Sequence, residues 1–157
     1  MPIIKLHTEI NAPIERVFDL ARSIDAHLSS TEETNEKVVE GRKSGLMELH
    51  ETITWEAKHL FIRQRLTVKI TKLDRPKSFE DQMVKGAFAY MKHQHHFSES
   101  NTKTIMIDEF DFKAPFGFIG RLFAKVYLAS YMERFLKKRN SKLKEIAESD
   151  DWARYLA

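Results

Sequence analysis

The chain contains no cysteine. That excludes disulfides, thiolate metal sites and cysteine nucleophiles. It also lacks any apolar run near the ~18 residues a membrane-spanning helix needs. The start, Met1-Pro2-Ile3-Ile4-Lys5-Leu6-His7, has no basic stretch followed by an apolar one, so no secretory signal is expected and a cytoplasmic protein is the default. A large excess of charge of one sign is missing too. The 26 bases and 23 acids leave a net charge of +3, so the pI near 9 does not imply a nucleic-acid partner. There is no Gly-x-Ser-x-Gly elbow and no phosphate loop, which leaves nucleophilic and nucleotide chemistry without support. No linker, repeat or low-complexity stretch divides the 157 residues, which are read as one domain over 1–157.

What is present is a change of period. Ile4, Leu6, Thr8 and Ile10 alternate with polar residues and predict a first strand. Asn11-Ala12-Pro13 then opens a short helix carrying Ile14, Val17, Phe18 and Ala21 on one stripe. A second short helix is expected over 23–28, followed by a polar loop to Asn35. From about Glu36 to Lys113 the period is two, with breaks at Gly41–Gly45, Asp74-Arg75-Pro76, Gly86 and Ser98–Asn101. That predicts about six strands in an antiparallel meander. After Ala114-Pro115, one long helix is expected from about Phe118 to Ser149, apolar in its first half and basic in its second. Its basic residues, Lys137, Lys138, Arg139, Lys142 and Lys144, read first as a solvated face. A peripheral membrane contact there stays open.

Within the meander, polar residues interrupt apolar rows. Met91, His93, His95 and Phe97 share one strand face, because side chains alternate. The row Met47-x-Leu49-x-Glu51-x-Ile53-x-Trp55 contains a glutamate. Leu60-x-Ile62-x-Gln64-x-Leu66 contains a glutamine. Phe79-x-Asp81-x-Met83 and Met106-x-Asp108-x-Phe110 each contain an aspartate. An unsatisfied buried polar group costs roughly 1–3 kcal/mol, so a dry core would seldom hold so many. An apolar cavity with convergent polar groups uses them. The phase puts Glu51, Gln64, His93 and His95 on the concave face, and His50, Arg63, Arg65 and Lys92 in solvent. Asp108 is the least determined, because Ile105 and Ile107 form an apolar row of opposite phase. His93 and His95 could share a metal ion, but a second ligand motif is missing, so no metal or other cofactor is assigned.

The order of elements, with Ile10-Asn11-Ala12-Pro13-Ile14-Glu15-Arg16-Val17-Phe18-Asp19-Leu20, resembles the SRPBCC (START/Bet v 1-like) superfamily. So do Phe79 to Met83 leading through Gly86 to His93-Gln94-His95, and Thr104 to Asp108 followed by Pro115-Phe116-Gly117-Phe118-Ile119-Gly120. The resemblance covers nearly the whole chain. It implies an α+β helix-grip fold: a seven-stranded antiparallel sheet wrapped around a C-terminal helix, two short helices after the first strand, and a cavity between sheet and long helix. Members of the superfamily include lipid carriers, hormone receptors, polyketide cyclases and chaperone cofactors, so it implies no single activity.

The leading expectation is a carrier or binder of a small hydrophobic molecule. Candidate walls are Met47, Leu49, Ile53, Trp55, Leu66, Met83, Met91, Phe110, Phe123, Tyr127 and Tyr131. Candidate polar contacts are Glu51, Gln64, Asp81, His93, His95 and Asp108. The alternatives are a polyketide cyclase-like acid–base enzyme using His93 or His95 with Asp108, and a partner-binding module with a vestigial cavity. Ligand identity and oligomeric state are not encoded in any motif.

Overall fold

A computed structural model describes residues 3–156. Strand β1 (Ile3–Ile10) is followed by helices α1 (Ile14–Ala21) and α2 (Ile24–Ser30). Pro13 precedes the first residue of α1 with φ −61°, and Glu15 places negative charge in its first turn. The hydroxyl of Ser23 caps α2 by accepting a hydrogen bond from the Ala26 N–H at 3.1 Å. A single 3-10 turn over Glu32–Thr34 leads into the meander.

The remaining strands are β2 (Lys37–Glu40), β3 (Thr52–His59), β4 (Ile62–Asp74), β5 (Ser78–Lys85), β6 (Tyr90–Ser100) and β7 (Lys103–Lys113). They form one antiparallel sheet in the order β1-β7-β6-β5-β4-β3-β2. Consecutive strands are neighbours throughout β2 to β7, and β1 closes against β7. Bulges between Thr67 and Val68 and between Ile70 and Lys72 bend β4 where the sheet curls.

A helix runs from Gly117 to Glu148 across the concave side. It comprises α3 (Gly117–Phe123), a π turn over Ala124–Leu128, and α4 (Ala129–Glu148). Its length of roughly 45 Å lets its two ends do different work. Leu143, Ile146 and Ala147 join Phe18, Phe79, Phe97 and Met106 in a closed core against α1. Met132 and Leu136 face a second cluster built on Trp55, Ile70, Phe110 and Phe112. The cavity lies within this second cluster.

Two sequence expectations change here. The row from Met47 to Trp55 is not one strand. His50 has φ +70° and β3 begins only at Thr52, so the kink resets the phase and Glu51 leaves the concave face. Its carboxylate instead accepts paired hydrogen bonds from Arg42 at 2.7 and 2.8 Å. Leu49 is exposed, and Ile53 is core. The second change is a turn at Leu60-Phe61, where the sequence pattern predicts no break. Both residues have positive φ, +53° and +67°, so Leu60 belongs to a two-residue hairpin loop rather than to the β4 row.

Candidate functional site

The alternating face of β6 turns both His93 and His95 inward, 4% and 3% exposed, while Lys92 is half-buried and His96 is exposed. Register sets their neighbours: His93 lies opposite Asp81 on β5 and Phe110 on β7, and His95 opposite Phe79 and Asp108. The His95 ring stacks on Phe79 at 4.1 Å and lies 3.9 Å from the His93 ring.

Asp108 is fully buried and collects this group from behind. Its Oδ1 lies 2.9 Å from His93 Nε2 and accepts from Arg139 Nη2 at 3.1 Å. Its Oδ2 accepts from Asn140 Nδ2 at 2.7 Å. His95 Nδ1 is 3.0 Å from Asp108 Oδ1, but off the line that an N–H bond requires, so this contact is ionic rather than a formed hydrogen bond. His95 Nε2 reaches Asp81 Oδ2 at 3.2 Å.

These contacts set the charges. Burial would raise the Asp108 carboxyl, but its contacts with His93 and His95 and the nearby Arg139 outweigh it and hold the group well below its ordinary range. Asp81 is likewise lowered against burial, mainly by His95. The His95 imidazole is raised, because its contacts with Asp108 and Asp81 overcome its burial. His93 goes the other way: burial, then the charge of His95, push it down to about 4. The floor therefore sets two adjoining imidazoles apart, His93 pushed towards its neutral form and His95 towards its protonated form, between two carboxylates and Arg139.

In front of this floor is a cavity of about 820 Å³. Its lining includes Met47, Trp55, Leu66, Val68, Phe79, Phe88, Met91, Phe110, Met132, Phe135 and Leu136, with Gln64, Asp81, His93, His95 and Arg139 among the polar members. The end near α3 and the β3–β4 turn is rimmed by Ile62, Phe116, Ile119 and Phe123, all exposed. Gly120 allows this rim to form. A Cβ there would come within 1.6 Å of the Pro115 carbonyl oxygen, so only glycine lets the chain pass so close.

A second polar group lines the same cavity. Glu36, just before β2, lies 2.9 Å from His27 Nε2 with its side chain 9% exposed. The His27 ring lies 4.2 Å from the Trp55 ring. His59, the last residue of β3, pairs through Nδ1 with the Tyr131 hydroxyl at 2.8 Å. Burial lowers the His59 imidazole, and Glu36 is held below its usual range because His27 outweighs its burial.

Of the residues singled out from sequence, Trp55, Gln64, Asp81, Met91, His93, His95, Phe110, Phe123 and Tyr131 meet at the cavity. Asp108 stands behind the histidines. Met83 packs half-buried against the core and Tyr127 is largely exposed; neither is among the lining residues. Arg139 corrects the reading of the basic helix: it turns inward to Asp108, while Lys137 and Lys142 pair with Glu133 and Glu145 along the helix. His27, Glu36 and His59 escape sequence reasoning because each sits alone in its own segment, with no local pattern to mark it.

Asp81, His93 and His95 bring potential ligand atoms within 4.8 Å of one another. Two imidazoles and a carboxylate could hold a divalent cation. Here, however, His93 Nε2 and both nitrogens of His95 face carboxylates, and Arg139 already supplies positive charge. The geometry is that of a proton-sharing network. Such a network can orient a polar group or pass a proton to one.

No curated protein matches the chain. Among solved structures, the protein TTHA0849 from Thermus thermophilus superposes with a TM-score of 0.73 at 18% identity, covering 94% of this chain and 100% of that one. Ginseng major latex-like protein 151 from Panax ginseng gives 0.69 at 12% identity, over 94% and 98% of the two chains. A START superfamily protein from Mycobacterium smegmatis gives 0.68 at 9% identity, over 92% and 98%. At these identities the likeness concerns the fold, and it agrees with the curled sheet and long helix. The family model described as polyketide cyclase / dehydrase and lipid transport matches residues 1–148, and the chain belongs to that family.

Proposed function

We propose that this protein binds a small, mainly apolar molecule in the cavity and holds a polar group of that molecule against Asp81 and His95. The observation that carries this reading is the contrast within one enclosure. The walls are mainly aromatic and aliphatic, and the polar side chains gather in clusters, the larger of them the buried floor of Asp81, His93, His95 and Arg139. A cavity of about 820 Å³ falls within the range of small-molecule sites. It is far larger than a few waters need, which speaks against a vestigial cavity. Burial of the ligand's apolar surface contributes roughly 25 cal/mol per Å², and the floor contributes orientation. The family description, which includes lipid transport, supports the same reading.

A second reading, acid–base catalysis of the polyketide cyclase type, has one specific observation in its favour. The surroundings lower the His93 imidazole and raise the adjoining His95, and a pair pushed apart in this way supplies a base and an acid side by side. Asp108 would act through the histidines rather than touch the substrate.

The test is mass spectrometry of the native protein purified under gentle conditions, followed by extraction. The binding reading predicts a co-purifying apolar molecule that is lost when Leu66 and Met91 are replaced by polar residues of similar size. Release of the same molecule from both forms in equal amounts would overturn it. Chemical change in that molecule on incubation with wild type, but not with His95→Ala, would favour the enzymatic reading.

A further inference from the structure

We propose that the cavity is a two-ended site, taking an elongated apolar molecule that carries a hydroxyl group at each end, one held at Asp81 and His95 and the other at Glu36 and His59. This rests on the ligand-binding reading above and names the class of ligand.

The first end is the floor already described. Asp81 uses Oδ2 for His95, and among the described residues its Oδ1 accepts no side-chain hydrogen bond. The second end is a separate buried cluster. A carboxylate taken out of water carries a desolvation cost of several kcal/mol, and Glu36 has one close ionic partner, His27. His59 lies on the same wall, and with Nδ1 engaged by Tyr131 its Nε2 has no protein partner among the described residues. All of these side chains line one cavity.

The two ends are far apart. His59 lies on β3 and His95 on β6, three strand steps away in the sheet order. The register also offsets them along β4, where Ile62 lies opposite His59 and Leu73 opposite Phe79, so the curl of the sheet sets their separation. On the facing helix, Tyr131, bonded to His59, and Arg139, bonded to Asp108 beside His95, lie eight residues apart on α4, a rise of about 12 Å. The intervening wall comes from β4, β6 and β7 and is mainly apolar, with Leu66, Val68, Met91 and Phe110 beside Gln64. One polar group cannot serve both ends. A molecule that serves both needs a rigid apolar body about two aromatic rings long.

The chemistry of the ends selects the groups. Each presents a carboxylate that accepts a hydroxyl proton: Asp81 through Oδ1, held in place by His95, and Glu36 at the second end, where His59 Nε2 also meets the hydroxyl oxygen. A ligand carboxylate would face Glu36 or Asp81 and be repelled. Both acids are held ionised by their histidine neighbours.

The test is fluorescence titration of trans-stilbene, its monophenol and its para,para′-diphenol. Wild type should bind the monophenol about tenfold more tightly than the hydrocarbon, and the diphenol about tenfold more tightly again, the scale of a hydrogen bond to a charged group. Glu36→Gln and, separately, His59→Phe should bring the diphenol down to the wild-type affinity for the monophenol and leave the hydrocarbon unchanged. His95→Ala should do the same from the other end. If wild type binds hydrocarbon and monophenol but gains nothing from the second hydroxyl, the two-ended site is overturned and the one-ended cavity stands. An advantage for the diphenol that survives both Glu36→Gln and His59→Phe overturns it equally. If no member of the series binds, both readings fall.

Discussion

Asp108 is the residue on which the polar floor depends. It is fully buried, and four side chains converge on its two oxygens. Asp108→Asn keeps the volume but removes the charge that compensates His95 and Arg139. Breaking a buried ion pair from one side costs about 3–5 kcal/mol, so urea unfolding should show a loss of that order. A loss below about 1 kcal/mol, the scale of an exposed pair, would mean that the cluster is not held by charge. His93 gives a pH signature with a definite sign. Its folded-state value, about 4, lies below that of the unfolded chain, about 6.5. The unfolded state therefore binds the proton first, and stability falls as pH drops from about 6.5 toward 4. His95, raised in the folded state, has the opposite sign, and its contribution is already complete below about 6.5. His93→Gln, whose amide can still donate to Asp108, should flatten the loss over the window from about 6.5 to about 4.5 in denaturant unfolding. An unchanged slope would remove His93 as its source.

At the scale of the element, the strands are legible in the sequence and one of their turns is not. Met91, His93, His95 and Phe97 alternate without a break, so their phase can be read directly, and Asp81 follows from the same rule on β5. The β3–β4 turn is hidden because Leu60 and Phe61 carry none of the glycine or asparagine chemistry that marks a hairpin. Two ordinary residues at positive φ store strain of order 1 kcal/mol each. Replacing Leu60-Phe61 by Asn-Gly should raise the melting temperature and stabilise the fold by at least about 1 kcal/mol. An unchanged or lower melting temperature would contradict the assignment of strain. The start of the long helix is equally specific. Gly120→Ala must push α3 away from Pro115, and such overpacking costs typically about 1–3 kcal/mol. Because this segment forms the cavity rim, the same variant should also change the rate of probe uptake. Wild-type stability and uptake would show that the close approach is not required.

For the whole molecule, the architecture and half of the site can be read from the order of residues. A period of two followed by a period near 3.6 after Pro115 is enough to put a curled sheet around a helix. The apolar rows with polar interruptions are enough to anticipate a cavity with polar members. What cannot be read is what depends on distant segments meeting. Glu51 leaves its row because one residue, His50, takes a left-handed conformation. Arg139 hides in a basic run whose other members read as a solvated face. His27, Glu36 and His59 come from α2, the approach to β2 and the end of β3, and only the curl of the sheet brings them together. The most direct test of the central claim is calorimetric titration of wild type and the double variant His95→Ala/Glu36→Gln with a matched pair of probes, an alkylbenzene and the corresponding phenol. The account predicts that wild type binds both, and that the double variant weakens the phenol about tenfold while leaving the hydrocarbon unchanged. Failure of wild type to bind either probe up to its solubility limit, or equal weakening of both probes in the double variant, would contradict it.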